Sequence, residues 1–150
     1  MSPERRPRVV IDTNVVFSGL YSRSGPPFEI LHRWHARQFQ LIATPALNLE
    51  YHRVIDEARS DPRITLSGFD YKLFARLLAI EARWFDGKVS LLIQSRDTKD
   101  NMLLEGAVGG HASYLVTGDS DLLILRSDPR LAPLSIVRPQ EFLRALDTSA

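Results

Sequence analysis

Four carboxylates in this sequence stand where an acid needs a purpose. Asp12 ends the apolar run Val9-Val10-Ile11, and Asp119 follows Tyr114-Leu115-Val116-Thr117-Gly118. Neither run alternates with polar residues, which reads as strands buried on both faces of a parallel sheet. Each acid then falls at a strand's carboxyl end, where open α/β sheets place their ligands. Glu50 and Asp100 approach the same edge from helices. With Leu47 at zero on a helical wheel, Val54 and Ala58 lie within about 20° and Glu50 about 60° to one side, so Glu50 borders a buried stripe. Leu103, Leu104 and Ala107 lie within about 60° of Asp100, which puts that acid on the inward face of a first turn.

Each acid also has a local use. Asp12 can cap the helix that follows it. Glu50 can pair with Arg53. Asp100 meets the positive end of a helix dipole, with Asp97 as a cap or outer group. Asp119 can bond the backbone of its own turn. Even so, all four can reach one crevice, where carboxylates repel each other and burial raises their pKa values. A hard divalent cation removes that conflict. Oxygen ligands, with no Cys and no spaced pair of His, point to Mg²⁺ or Mn²⁺ and away from zinc. Carboxylate-held Mg²⁺ serves phosphoryl chemistry, activating water and neutralising charge on phosphate.

The elements that must position these acids alternate along the chain. Strands are predicted over residues 9–12, 39–43, 89–93, 114–117 and 134–137. Helices are predicted over residues 14–20, from Pro26-Pro27 onward with Phe28, Leu31, Trp34 and His35 inward, from Thr44-Pro45 to Ala58, and over residues 69–85, 100–109 and 139–146. A short helix or turn is predicted at residues 121–125. Thr44 as N-cap with Pro45 in the first turn is a strong start signal. Alternating strands and helices predict an α/β fold with a parallel sheet. The 150 residues suit a single domain, with residues 1–7 as a flexible arm.

Four segments, IDTNVVFSGL, LNLEYHRVI, DTKDNMLLEGA and YLVTGDSDLL, occur in an order and spacing that resemble the PIN domain. They look closest to its VapC-like branch, the toxins of toxin–antitoxin pairs. The resemblance spans residues 9–143. It implies a three-layer α/β/α sandwich around a mostly parallel sheet of about five strands. It also implies Mg²⁺- or Mn²⁺-dependent endonucleolytic cleavage of RNA. Asp12, Glu50, Asp100 and Asp119 match the family's catalytic, metal-holding acids. Asp121 matches a further acid that binds metal or stands just outside it, and Asn14 and Thr117 match supporting polar positions. Such proteins are often homodimers held inactive by a cognate antitoxin. Two regions depart from the pattern. Residues 60–68 and the helix after them are unlike the usual connection, and His111-Ala112-Ser113 stands where a small residue and then an acid are common.

Composition narrows the alternatives. Hydrophobic content of 44% and charged content of 25% are those of an ordinary globule. No apolar run approaches the roughly 20 residues of a membrane span. The charged start MSPERRPR lacks the apolar core of a secretory signal, and the absence of Cys fits a cytoplasmic protein. The net charge of +1 says little, although 16 of the 19 basic residues are Arg, which suits phosphate contacts. Arg23, Arg96 and Lys99 are the cations nearest the acids. Two other readings compete. One is another Mg²⁺-dependent phosphoryl hydrolase; those with an aspartyl nucleophile want a second Asp where Asn14 stands. The other is a non-catalytic PIN-like domain that binds RNA or protein. No G-x-G-x-x-G follows a strand, which excludes dinucleotide binding.

Overall fold

The computed structural model describes residues 5–86, 88–91, 97 and 100–149. Among the described residues, five strands form one parallel sheet: β1 (Arg8–Ile11), β2 (Gln40–Ala43), β3 (Arg83–Trp84), β4 (Tyr114–Val116) and β5 (Ser135–Val137). Their spatial order is β3-β2-β1-β4-β5. Val9 pairs with Leu41 on one side and with Tyr114 on the other, so β1 is central. Val9, Val10, Ile11, Leu41, Ile42, Leu115 and Val116 are almost completely buried. That explains the unbroken apolar runs: strands covered on both faces have no solvent side on which to place polar residues.

Among the described residues, seven α-helices complete a three-layer α/β/α sandwich: α1 (Thr13–Tyr21), α2 (Pro26–His35), α3 (Pro45–Ser60), α4 (Tyr71–Ile80), α5 (Asn101–Gly109), α6 (Ser120–Leu123) and α7 (Pro139–Thr148). The chain leaves β1 toward β2 and β3, then crosses back to β4 and β5 on the other side. The direction of winding therefore reverses between β1 and β4, and such a switch point opens a crevice at the carboxyl ends of the two strands. Asp12 and Thr117 follow β1 and β4 directly at that point. α5 packs on this part of the sheet. A Cβ at its Gly106 would come within 3.1 Å of Leu47 and 3.8 Å of Val10, so the bare backbone permits the close approach.

Several sequence expectations need correction. The third strand is Arg83–Trp84, with both residues exposed. Residues 89–91 form no strand, and Leu92 and Ile93 of the expected segment lie outside the described residues. The helix expected over 69–85 is shorter, because Asp70 caps it through Lys72 N at 2.8 Å and Glu81 ends it. The buried stripe of α2 is Ile30, Leu31 and Trp34, whereas His35 is exposed. Leu20 and Trp34 belong to the core. Phe17 is half-buried and stacks on Tyr21 at 5.7 Å. At the N-terminus, the carbonyl of Pro7 accepts from Gln40 N at 2.9 Å; residues 1–4 of the expected arm lie outside the described residues. No helix among the described residues is long and apolar enough to cross a membrane.

Candidate metal centre

The site is assembled by hydrogen bonds at the ends of β1 and β4. Asp12 caps α1, its Oδ1 accepting from Asn14 N at 3.2 Å. Its Oδ2 accepts from the hydroxyl of Thr117 at 2.7 Å. Thr117 is fully buried, and the same hydroxyl accepts from Asp119 N at 3.0 Å. A hydroxyl has one proton to give and lone pairs to receive, so Thr117 ties both acid-bearing strand ends together. Asp119 caps α6, accepting from Asp121 N at 2.9 Å. Asp100 is the N-cap residue of α5 but makes no side-chain capping bond. Its backbone N–H donates to the carbonyl of Asp97 at 3.0 Å.

These anchors bring carboxylates together. One oxygen each from Asp100, Asp119 and Asp121 lies within 4.8 Å of the other two. Asp100 and Asp119 face a cleft of about 200 Å³ that is also walled by Asp12, Asn14, Glu50, Arg53 and Asp97. Glu50 is half-buried, and both its oxygens accept from the Arg53 guanidinium, at 3.0 Å for Oε2. The structure thus places Asp12, Asn14, Glu50, Asp100 and Asp119 at one cleft, with Thr117 beneath it and Asp121 beside it. Arg23 is exposed in the connection between α1 and α2; Arg96 and Lys99 lie outside the described residues.

The electrostatics follow from the crowding. Asp100 is pushed up to about 6, first by burial and then by the charges of Asp119, Asp97 and Asp12. Asp12 is also raised: burial outweighs the opposing bonds from Thr117 and Asn14, and the charge of Asp119 adds to the effect. Arg53 is the sole cation among the described residues that wall the cleft, and its bonds go to Glu50 and Glu57. An all-oxygen, anionic site with a three-carboxylate focus fits a hard divalent cation of the Mg²⁺ or Mn²⁺ kind.

Two features of the site escaped the sequence reading. Arg53 is a wall of the cleft as well as the partner of Glu50. A second groove of about 370 Å³ runs on the other side of Asp12, Asn14 and Asp119, bounded by Val15, Ser18, Pro27 and Pro139. Neither proline announced it, since each reads as an ordinary first-turn residue of its helix.

A parallel α/β sandwich with an acidic, cation-fitted cleft at its switch point defines a recognisable class of phosphoryl-processing proteins. A sequence model of the PIN domain matches residues 8–121, and the chain belongs to the PIN domain family. That family consists in general of metal-dependent nucleases. No curated protein and no solved structure gives a significant match to the chain.

Proposed function

We propose that this chain is a Mg²⁺- or Mn²⁺-dependent endoribonuclease, acting as the toxin of a type II toxin–antitoxin pair. The observation that carries the reading is the convergence of Asp100, Asp119 and Asp121 within 4.8 Å at the sheet's switch point, with Asp12 on the same cleft. Asp100, Asp119 and Asp121 would hold the cation, with Asp12 and Glu50 on the same cleft completing the acidic set. When bound, the cation lowers the pKa of water and offsets the negative charge that gathers on the phosphate. The chain's own residues prepare that event. Thr117 fixes the Asp12 carboxylate by donating to Oδ2, leaving Oδ1 toward the Asn14 side of the cleft. Asp100, pushed up to about 6 by burial and by the charges of Asp119, Asp97 and Asp12, would give up any proton it carries when a cation takes its carboxylate. The fixed backbone N–H of Asp121 holds Asp119 in orientation.

RNA as the substrate and the antitoxin rest on the resemblance to the toxin branch, and the cytoplasm on the absence of Cys. An antitoxin that covers a cleft this acidic needs a basic segment to do so. A second copy is proposed to cover the apolar surface near the β3 edge, where Ile80 is 70% and Trp84 46% exposed.

The test is cleavage of a mixed single-stranded RNA pool by pure protein with Mg²⁺, with Mn²⁺ and with EDTA, beside Asp12→Asn and Asp119→Asn. Cutting should require metal, and each variant should lose about a hundredfold or more in rate, since a misplaced charge at the reacting phosphate costs several kcal/mol. Equal trace cutting by wild type and both variants would sink the nuclease reading.

A further inference from the structure

The one described cation on the cleft wall is engaged by two acids of its own helix. Arg53 Nε donates to Glu50 Oε2 at 3.0 Å, Nη2 donates to Glu50 Oε1, and Nη1 donates to Glu57 Oε1 at 2.6 Å. The positions i, i+3 and i+7 along α3 put both acids and the arginine on one helical face. Glu50 therefore has both oxygens in a guanidinium fork, the geometry in which Arg binds a carboxylate most specifically. Glu50 walls the cleft but stands outside the group of three converging oxygens. To join them it must leave the fork. A phosphodiester offers the same fork-shaped pair of oxygens, and the Arg53 side chain is 47% exposed and within reach of the cleft.

We propose that Arg53 is a positioning residue that holds Glu50 away from the bound cation until an incoming phosphodiester takes the guanidinium, upon which Glu50 completes the acidic centre. This rests on the metal-dependent reading above. The exchange is close to balanced, because an ion pair this exposed contributes little net free energy and the phosphate replaces the carboxylate at the same donors. Glu57 keeps its hold on Nη1 during the exchange, so Arg53 pivots between partners and never loses both. Linkage then makes the effect reciprocal: RNA tightens cation binding, and the cation tightens RNA binding.

The test is Mn²⁺ titration by calorimetry, without RNA, of wild type, Arg53→Lys, Glu50→Gln and the double variant. Lysine keeps the positive charge and removes the fork, so the simple loss of a nearby cation does not enter the comparison. Arg53→Lys should bind Mn²⁺ about fivefold more tightly than wild type, the size of one exposed ion pair released. The gain should vanish in the Glu50→Gln background, as a double-mutant cycle requires of two coupled residues. With RNA, Arg53→Lys should raise KM and leave kcat in place. Equal Mn²⁺ affinity in wild type and Arg53→Lys, or the same gain in both backgrounds, overturns the inference while leaving the metal site standing. A wild type that takes up no Mn²⁺ overturns the metal-dependent reading, and this inference with it, which is a different pattern of results.

Discussion

At the scale of single residues, local bonding and functional placement are the same event. The local use foreseen for Asp12, Glu50 and Asp119 is realised in each case: Asp12 caps α1, Glu50 pairs with Arg53, and Asp119 accepts from Asp121 N. Those bonds are what aim the acids. The sequence could therefore pose two readings for each acid but could not show that they coexist, because a cap and a ligand use the same carboxylate. Thr117 sits at the junction and makes the case testable. Replacing it with the near-isosteric Val removes the donor to Asp12 and the acceptor for Asp119 N while preserving volume. Thr117→Val should cost about 1–3 kcal/mol in urea denaturation, as buried groups lose partners. It should also raise the Asp12 pKa further, since its largest lowering influence is gone. Thr117→Ser keeps the hydroxyl and should restore most of both. If Thr117→Val matches wild type in stability and Mn²⁺ affinity, the hydroxyl is not what ties the two strand ends.

At the scale of elements, what was legible depended on burial. The four acid-bearing segments were placed correctly in type because each adjoins an element with a strong apolar pattern. Thr44 and Pro45 start α3 as expected, with Leu47 N donating to the Thr44 hydroxyl at 3.1 Å, and this fixes the rotation that brings Glu50 to the cleft. β3 was missed for the converse reason. A two-residue strand with both side chains exposed carries no periodicity. Its pairing comes from the backbone, through register with Ile42 and Ala43. The apolar stretch that begins at Val89 drew the strand assignment instead. The connection at residues 60–68, expected from the sequence to differ from the family's usual one, is pinned by its last residue. Gly68 N donates to Leu20 O at 2.8 Å and Phe69 N to Gly19 O at 2.9 Å, closing the segment onto the end of α1. A Cβ on Gly68 would lie 2.3 Å from Ser22 O and 2.4 Å from Gly19 O. Backbone carbonyls cannot step aside as a flexible side chain can. Gly68→Ala should therefore cost about 1–3 kcal/mol, the range for overpacking a tight contact, measured as a shift of the urea midpoint. The acidic cleft lies at the other end of α1, so Mn²⁺ affinity measured well below the unfolding transition should hold. A variant with wild-type stability would mean that the connection can lift off α1 freely.

At the scale of the whole molecule, the acidic centre is a destabilising feature that a bound cation would relieve, and pH reveals the sign. Asp100 has an ordinary value of 3.8 and is pushed up to about 6 in the folded protein. The native state therefore binds an extra proton between about pH 4 and 6, and lowering the pH through that window stabilises the fold. The full effect is at most about 3 kcal/mol, from 1.4 kcal/mol for each unit of pKa difference. Asp12 is shifted the same way and adds to the trend. The surface acids oppose it only at lower pH. Asp61 is held down by Arg63, Asp128 to about 2 by Arg130, and Glu141 by the Arg138 backbone N–H and by Arg126. For those groups stability is present above the ordinary carboxylate value and is lost as the pH falls below about 4. With EDTA, Tm should accordingly rise as the pH is taken from 7 to 5, the reverse of the usual acid response. On the proposed reading, saturating Mn²⁺ takes the ionised carboxylates of the folded state, so it should raise Tm at pH 7. Its benefit should shrink toward pH 5 as protons compete for Asp100, which inverts the slope. Asp100→Asn removes the charge that the site repels, so it should flatten the EDTA profile and lose most of the Mn²⁺ gain. Scanning calorimetry at three pH values, with and without metal, decides it. Profiles that coincide in EDTA and Mn²⁺ and do not rise toward pH 5 would mean that the clustered acids neither strain the fold nor hold the cation.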